Sequence, residues 1–73
     1  MKIKNQDELE FVIFCIENVA LKLNKNPKEV FNLFLNTQLI DYLTENYEIL
    51  HSLSKEYIVN DLVDILKKEG VHI

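Results

Sequence analysis

The fold of this chain is decided by the stretch Leu9-Glu10-Phe11-Val12-Ile13-Phe14-Cys15-Ile16-Glu17-Asn18-Val19-Ala20-Leu21-Lys22-Leu23. Apolar residues recur in it every three or four positions, which predicts one face of an α-helix. That face comprises Leu9, Val12, Ile13, Ile16, Val19, Ala20 and Leu23. The other side carries Phe11, Phe14, Asn18 and Leu21, with Glu10 and Glu17 in a narrow polar strip between the two. A helix that is apolar on two sides is either central to its own domain or contacts a second molecule.

The composition predicts one small helical domain over residues 1–73. Of the 73 residues, 48% are hydrophobic and 27% are charged, as in ordinary globular proteins. The sequence contains one glycine and one proline, so few residues typical of tight turns are present, which favours helices with short connections over β-hairpins. In so short a chain, core burial barely offsets the entropy lost on folding, and a single cysteine cannot form an internal disulfide. We therefore expect the fold to gain stability from a partner or from self-association.

The charge of the chain argues against direct binding of nucleic acid. The formal net charge is -4, and the sequence contains no arginine and only scattered lysines, whereas phosphate backbones are bound by clustered cations. A helix-turn-helix arrangement would need a basic recognition helix, but the third helix, predicted below over residues 38–52, is acidic. DNA contact is therefore expected only through a dimer or a partner. The sequence has no apolar run long enough for a membrane span and no secretory signal in residues 1–6, so we expect a cytoplasmic protein with no membrane association.

Capping signals place the first two helices. Asn5 and Glu8 form a capping-box pattern that starts the first helix, predicted over residues 6–24. Asn26 at the N-cap and Pro27 at the first helical position start the second helix, predicted over residues 27–36. Its apolar side chains are so closely spaced that nearly all of them are expected to be buried.

Two further helices follow from periodicity and from cap residues. Thr37 is predicted to cap a third helix over residues 38–52, and Ser54 a fourth over residues 55–69. Gly70 and Val71 after the fourth helix predict a Schellman motif, from which residues 71–73 leave as an extended tail. The expected fold is all-α: a small four-helix orthogonal bundle around a central N-terminal helix.

Nothing in the sequence predicts a catalytic, cofactor or metal site. His51 is followed closely by Ser52 and Ser54, but this pattern is more typical of a helix end than of a nucleophile with its base. Cys15 lies beside the main apolar face and is expected to be an unreactive core thiol. Cys15, His51 and His72 lack the close pair spacing that structural zinc sites use.

Two groups of residues leave alternatives open. The three tyrosines, Tyr42, Tyr47 and Tyr57, suit either a core position with the hydroxyl reaching water or an interface. The side of the first helix from Phe11 to Leu21 either receives the second helix or forms a self-association seam in which Asn18 fixes the register. The first helix is apolar on two sides, and few other helices are available to cover it. We therefore favour burial of part of this side within the domain itself.

Several blocks of the chain resemble a short, uncharacterised bacterial family, a domain of unknown function, over about residues 8–66. The blocks are Phe11-Val12-Ile13-Phe14-Cys15-Ile16-Glu17-Asn18, Lys28-Glu29-Val30-Phe31-Asn32-Leu33-Phe34, Leu39-Ile40-Asp41-Tyr42-Leu43, Tyr47-Glu48-Ile49-Leu50-His51-Ser52 and Lys55-Glu56-Tyr57-Ile58-Val59-Asn60-Asp61. Members of that family are often encoded beside a small protein suspected to be an ADP-ribosyltransferase-like toxin, so the resemblance implies a toxin–antitoxin or similar two-component role. Ser52 stands where the family tends to have threonine, and Asn60 where it tends to have an acidic residue. The resemblance supplies no catalytic residue.

These observations predict a non-catalytic interaction module, an antitoxin-like or accessory partner of a neighbouring effector. It would present an acidic surface containing aromatic residues to a basic protein, with charge aiding encounter more than affinity. The expected contact residues are Phe14, Glu17, Asn18, Leu21, Tyr42, Tyr47, His51 and Tyr57. The alternative is a homodimeric structural or regulatory unit whose seam runs from Phe11 to Leu21.

Overall fold

The computed structural model describes residues 2–72 and contains five helices joined by short connections. They are α1 (Gln6–Leu23), α2 (Pro27–Asn36), α3 (Leu39–Glu45), α4 (Tyr47–Leu50) and α5 (Lys55–Lys68). No strand occurs in the described part of the chain, which confirms the all-α class. Helices α1, α2 and α5 end within one residue of their predicted limits. None of the helices in residues 2–72 is long and apolar enough to cross a bilayer.

The start of α1 confirms half of the predicted capping box. The side-chain oxygen of Asn5 accepts a hydrogen bond from the backbone N–H of Glu8, at 2.9 Å. The carboxylate of Glu8 does not return to Asn5 but accepts from the backbone N–H of Lys4, at 3.0 Å. This bond fixes the residues before the helix, and Ile3 packs against the core there.

The caps predicted for the second and last helices are also confirmed. The side chain of Asn26 accepts from the N–H of Lys28 at 2.8 Å, and Pro27 occupies the first turn of α2. Ser54 accepts from the N–H of Tyr57 at 3.2 Å and so caps α5. Each cap satisfies a backbone donor that has no partner within its own helix.

Each of the two longest helices ends at a residue in the left-handed backbone conformation. Gly70 has φ +85°, and the N–H of Val71 donates to the carbonyl of Leu66 at 3.0 Å, which is the predicted Schellman motif. Asn24 takes the same role after α1, with φ 54° and a bond from the N–H of Lys25 to a carbonyl of the last turn. His72 lies outside regular structure, and residue 73 of the predicted tail lies outside the described residues.

The prediction of one helix over residues 38–52 is wrong, because the chain forms two helices there, α3 and α4, separated at Asn46. Thr37 does not cap α3; its hydroxyl donates to the carbonyl of Leu33 at 2.7 Å and helps to end α2. Gln38 then turns the chain with φ 60°, without any side-chain cap. The Asn46 amide donates to the carbonyl of Tyr42 at 2.9 Å, between α3 and α4. Side chains of this kind compete with backbone bonding and so break an otherwise continuous apolar period.

Helix α1 is central, as predicted, because it packs against α2, α3 and α5. Its buried face, however, is turned by about 40° from the predicted one. Leu9 and Ile13, expected in the core, are 37% and 45% exposed, whereas Cys15 is completely buried and Glu8 is nearly so. The apolar residues of α1 in the core are Val12, Cys15, Ile16, Val19 and Ala20. The rotation follows from the position of the three neighbouring helices, all of which contact the helix from this side.

Helix α2 is less buried than its composition suggests, so the prediction of near-complete burial is wrong. Val30 and Phe34 are fully buried, but Leu35 is exposed and the remaining apolar residues are half-buried. A ten-residue helix lying on the surface of the bundle turns only one face to the core.

Candidate protein-interaction surface

The outward face of α1 carries large apolar side chains that are partly or largely exposed. Phe14 is 39% exposed and Leu21 is 79% exposed. Glu10 and Glu17, on the same face, are also exposed. We call Glu10, Phe14, Glu17 and Leu21 the α1 seam. An exposed leucine alone would need no explanation, but two large apolar side chains exposed on one side of the central helix make this face the candidate interaction site.

The α1 seam follows the spacing by which two helices pack along each other. Its members lie four, three and four residues apart, which keeps them on one side of the helix over about 17 Å. Carboxylates and apolar side chains alternate along this line. Ile13 extends the apolar surface on one side of the seam.

The carboxylates of the α1 seam form no ion pair within the described residues 2–72. Both ion pairs found in residues 2–72 lie elsewhere on the surface. The carboxylate of Glu10 accepts a hydrogen bond from the amide of Gln6 at 3.2 Å, which leaves its charge unbalanced. The next lysine along α1, Lys22, projects about 100° further round the helix than Leu21. The seam therefore combines apolar contact area with negative charge.

An open groove adjoins the C-terminal end of the α1 seam and separates α1 from the start of α5. Its volume is about 540 Å³. Leu21 and Val59 supply its apolar surface, and the walls are polar. Its lining residues are Asn18, Leu21, Lys22, Lys55, Glu56, Val59 and Asn60. Because Leu21 belongs to both features, the seam and the groove form one continuous surface.

Asn18 is half-buried and bonded to its own helix. Its side-chain amide donates to the backbone carbonyl of Phe14 at 2.8 Å. The amide oxygen takes no part in this bond. Asn18 thus lies at the groove with one of its two amide N–H groups bonded to its own helix, which reduces its capacity to set the register of a second helix.

Tyr47 and His51 form a separate aromatic cluster with Phe11. The rings of Tyr47 and His51 stack with centroids 4.3 Å apart, and the ring of Phe11 meets that of Tyr47 edge-on at 5.5 Å. Nδ1 of His51 lies 2.7 Å from the carbonyl of Tyr47. Partial burial raises the pKa of the Tyr47 hydroxyl, and nearby carboxylates, Asp7 foremost, raise it further. The contact between Phe11 and Tyr47 packs α4 against α1.

Tyr42 on α3 and Tyr57 on α5 lie near each other but differ in what they do. The hydroxyl of Tyr42 donates to the carboxylate of Asp61 at 2.9 Å and so links α3 to α5. Burial, followed by this bond to Asp61, raises the pKa of Tyr42. Tyr57 projects outward and is 59% exposed. Tyr42 therefore has a structural contact, and Tyr57 is available to solvent.

The side chains considered for chemistry have local structural roles. Burial raises the pKa of the Cys15 thiol to about 12, as expected for a core cysteine. The hydroxyl of Ser52 donates to the carbonyl of Ile49 at 2.7 Å and closes the end of α4. Ser54 caps α5, and His51 is bonded within its own turn. The described residues contain no group of three potential ligands placed to hold a metal ion.

The predicted contact residues fall in three places rather than on one surface. Phe14, Glu17, Asn18 and Leu21 lie together on α1, Tyr47 and His51 at α4, and Tyr42 and Tyr57 on α3 and α5. The prediction omitted Glu10 and Ile13, which the structure places on the exposed face of α1. The heptad-like spacing of Glu10 with Phe14, Glu17 and Leu21 was the available signal. Ile13 gave none, since its period assigned it to the core.

Residues 10–69 match a family described as Protein of unknown function (DUF3791). The match covers most of the chain, including α2 to α5, the α1 seam and the groove, so the chain belongs to this family. No curated protein and no solved structure matches the chain. The family description assigns no activity.

Proposed function

We propose that this DUF3791 protein is a non-catalytic interaction module of the bacterial cytoplasm that binds a basic protein partner through the α1 seam. The observation that carries the proposal is the exposure of Phe14 and Leu21 beside two unbalanced carboxylates on the central helix. Covering the apolar side chains would remove them from water, and pairing the carboxylates would require cations from the partner.

The resemblance noted in the sequence supports a partner encoded by a neighbouring gene. Because members of such families are often encoded beside a suspected ADP-ribosyltransferase-like toxin, the proposed role is neutralisation of that neighbour by occlusion. The net charge of -4 would speed encounter with a basic effector. A non-catalytic role is supported by the local bonds of His51, Ser52 and Ser54, which engage them at helix ends.

Co-expression with the product of the neighbouring gene tests the proposal. We expect the two proteins to co-purify and any growth inhibition caused by the neighbour to be relieved. Leu21→Ser should weaken both effects, because it removes the most exposed apolar side chain of the α1 seam.

Ile49→Ser is the matched control. Ile49 is 67% exposed on α4, outside the seam, so this change removes a similar exposed apolar group without affecting the proposed surface. Both substitutions lie at the surface and should leave the fold intact, which circular dichroism would verify. Absence of co-purification and of relief, or equal effects of the two substitutions, would contradict the proposed function.

A further inference from the structure

The spacing of the α1 seam selects the kind of segment that fits it. Glu10, Phe14, Glu17 and Leu21 lie four, three and four residues apart, the pattern that one helix presents to another lying along it. A helix lying along α1 can place its side chains between these residues over the full length of the seam, as ridges pack into grooves. The complementary segment is therefore helical.

The charges of the α1 seam specify the side chains of that helix. A covering helix would remove the carboxylates of Glu10 and Glu17 from much of their water, and unpaired carboxylates in an interface are costly. The occupant must therefore bring cations to these two positions, which are seven residues apart. Apolar side chains are required opposite Phe14 and Leu21. The matching helix has basic and apolar residues alternating at heptad spacing.

A second copy of α1 does not meet these requirements. In an antiparallel pair centred on the seam, Glu10 would face Leu21 of the other copy and Phe14 would face Glu17. In a parallel pair, each carboxylate would face its own equivalent. Both arrangements place carboxylates against apolar groups or against each other, with Lys22 turned away towards α5. Charge complementarity thus favours a different, basic partner.

The groove at the end of the α1 seam adds one more requirement. Leu21 and Val59 offer apolar contact there, and Lys22 and Lys55 lie at its edge. A further apolar side chain of the partner fits over Leu21, whereas a basic one would meet Lys22 and Lys55 as well as Glu56. The position opposite Leu21 therefore takes an apolar residue, and the basic residues of the partner face Glu10 and Glu17.

We propose that the partner's contact segment is an amphipathic α-helix that lies along α1, with two basic residues seven apart facing Glu10 and Glu17 and apolar residues facing Phe14 and Leu21. This inference rests on the proposed function, since it describes the segment that the same surface binds. It predicts that spacing and charge, rather than overall basicity, determine recognition.

Synthetic peptides test this without an identified partner. The probe is a fluorescein-labelled helical peptide with lysines seven residues apart and leucines seven residues apart on the same face. The first control has the same composition with the spacing scrambled, and the second has glutamates in place of the lysines. Fluorescence anisotropy with the full chain should show binding of the probe at least about tenfold tighter than of either control.

Charge exchange provides the decisive comparison. Glu10→Lys with Glu17→Lys should lose affinity for the lysine peptide and gain affinity for the glutamate peptide, each by about tenfold. Glu48→Lys, an exposed change on α4, should leave the preference for the lysine peptide intact. Equal binding of the spaced and scrambled peptides, or a preference unchanged by the double substitution, would overturn the inference.

The failure of this inference can be separated from failure of the proposed function. If Leu21→Ser abolishes capture of the neighbouring gene product while the peptides fail to discriminate, the interaction role stands and the helical occupant is wrong. If Leu21→Ser leaves capture unchanged, the α1 seam is not the binding surface, and both proposals are overturned.

Discussion

Cys15 shows how the neighbouring helices orient the central helix. Its small, fully buried side chain lies where α1 meets its neighbours, whereas the larger Leu9 and Ile13 are partly exposed. Periodicity places Leu9 and Ile13 on the main apolar face and Cys15 beside it, although all three are apolar. Only the positions of α2, α3 and α5 determine which of them faces inward. Phe14 and Leu21, on the opposite side of α1, lie at the surface.

Burial predicts that the Cys15 thiol resists modification in the folded protein. The rise of its pKa from 9.0 to about 12 lowers the thiolate fraction about 1,000-fold, and the thiolate is the reactive form. A disulfide-exchange reagent at about pH 8 should therefore label the denatured chain rapidly and the native chain slowly. Because the folded-state pKa is raised, protonated Cys15 stabilises the fold below pH 9.0, and this contribution is lost as the pH rises towards about 12. Equal labelling rates in the presence and absence of urea would contradict the buried position.

Among the helices, the residues that cap the ends could be predicted from the sequence, but the break between α3 and α4 could not. Asn26 with Pro27, and Gly70 with Val71, are signals contained within a few residues, and the structure confirms both. The break at Asn46 has no comparable signal, because the apolar period continues through it. Side-chain competition for backbone carbonyls depends on the tertiary positions of α3 and α4, which a single sequence does not contain.

The left-handed residues at helix ends lead to a paired prediction. Gln38 has φ 60° without a side-chain bond that stabilises this conformation, so Gln38→Gly should raise the free energy of unfolding by about 0.5–1 kcal/mol. Gly70 has φ +85°, and a Cβ added there would meet open space. Gly70→Ala should therefore lower the free energy of unfolding by about 1 kcal/mol through backbone strain alone. Urea denaturation of both variants measures the two effects. A change of the same sign in both would contradict this explanation.

At the scale of the whole molecule, the candidate site was predictable in part. The two-sided character of α1 led directly to Phe14, Glu17 and Leu21, which the structure leaves exposed. Tyr42 was selected on residue type alone, and its hydroxyl proves to bind Asp61 within the fold. Residue type indicates that a tyrosine suits an interface, but its partner depends on how α3 and α5 pack. The aromatic cluster at α4 is likewise set by packing, through the contact of Tyr47 with Phe11.

The carboxylates of the α1 seam should also keep this small protein from pairing with itself. Replacing them by leucine, in Glu10→Leu with Glu17→Leu, would turn the seam into a continuous apolar stripe at heptad spacing, which favours helix pairing. We expect this variant to sediment as a dimer at micromolar concentration, while the unchanged chain sediments as a monomer. Glu48→Leu with Asp64→Leu, which adds similar apolar area at exposed positions outside α1, should remain monomeric. The opposite result would be that the unchanged chain forms a dimer and that Leu21→Ser dissociates it. The α1 seam would then bind a second copy of the chain, because only pairing through that surface would depend on Leu21.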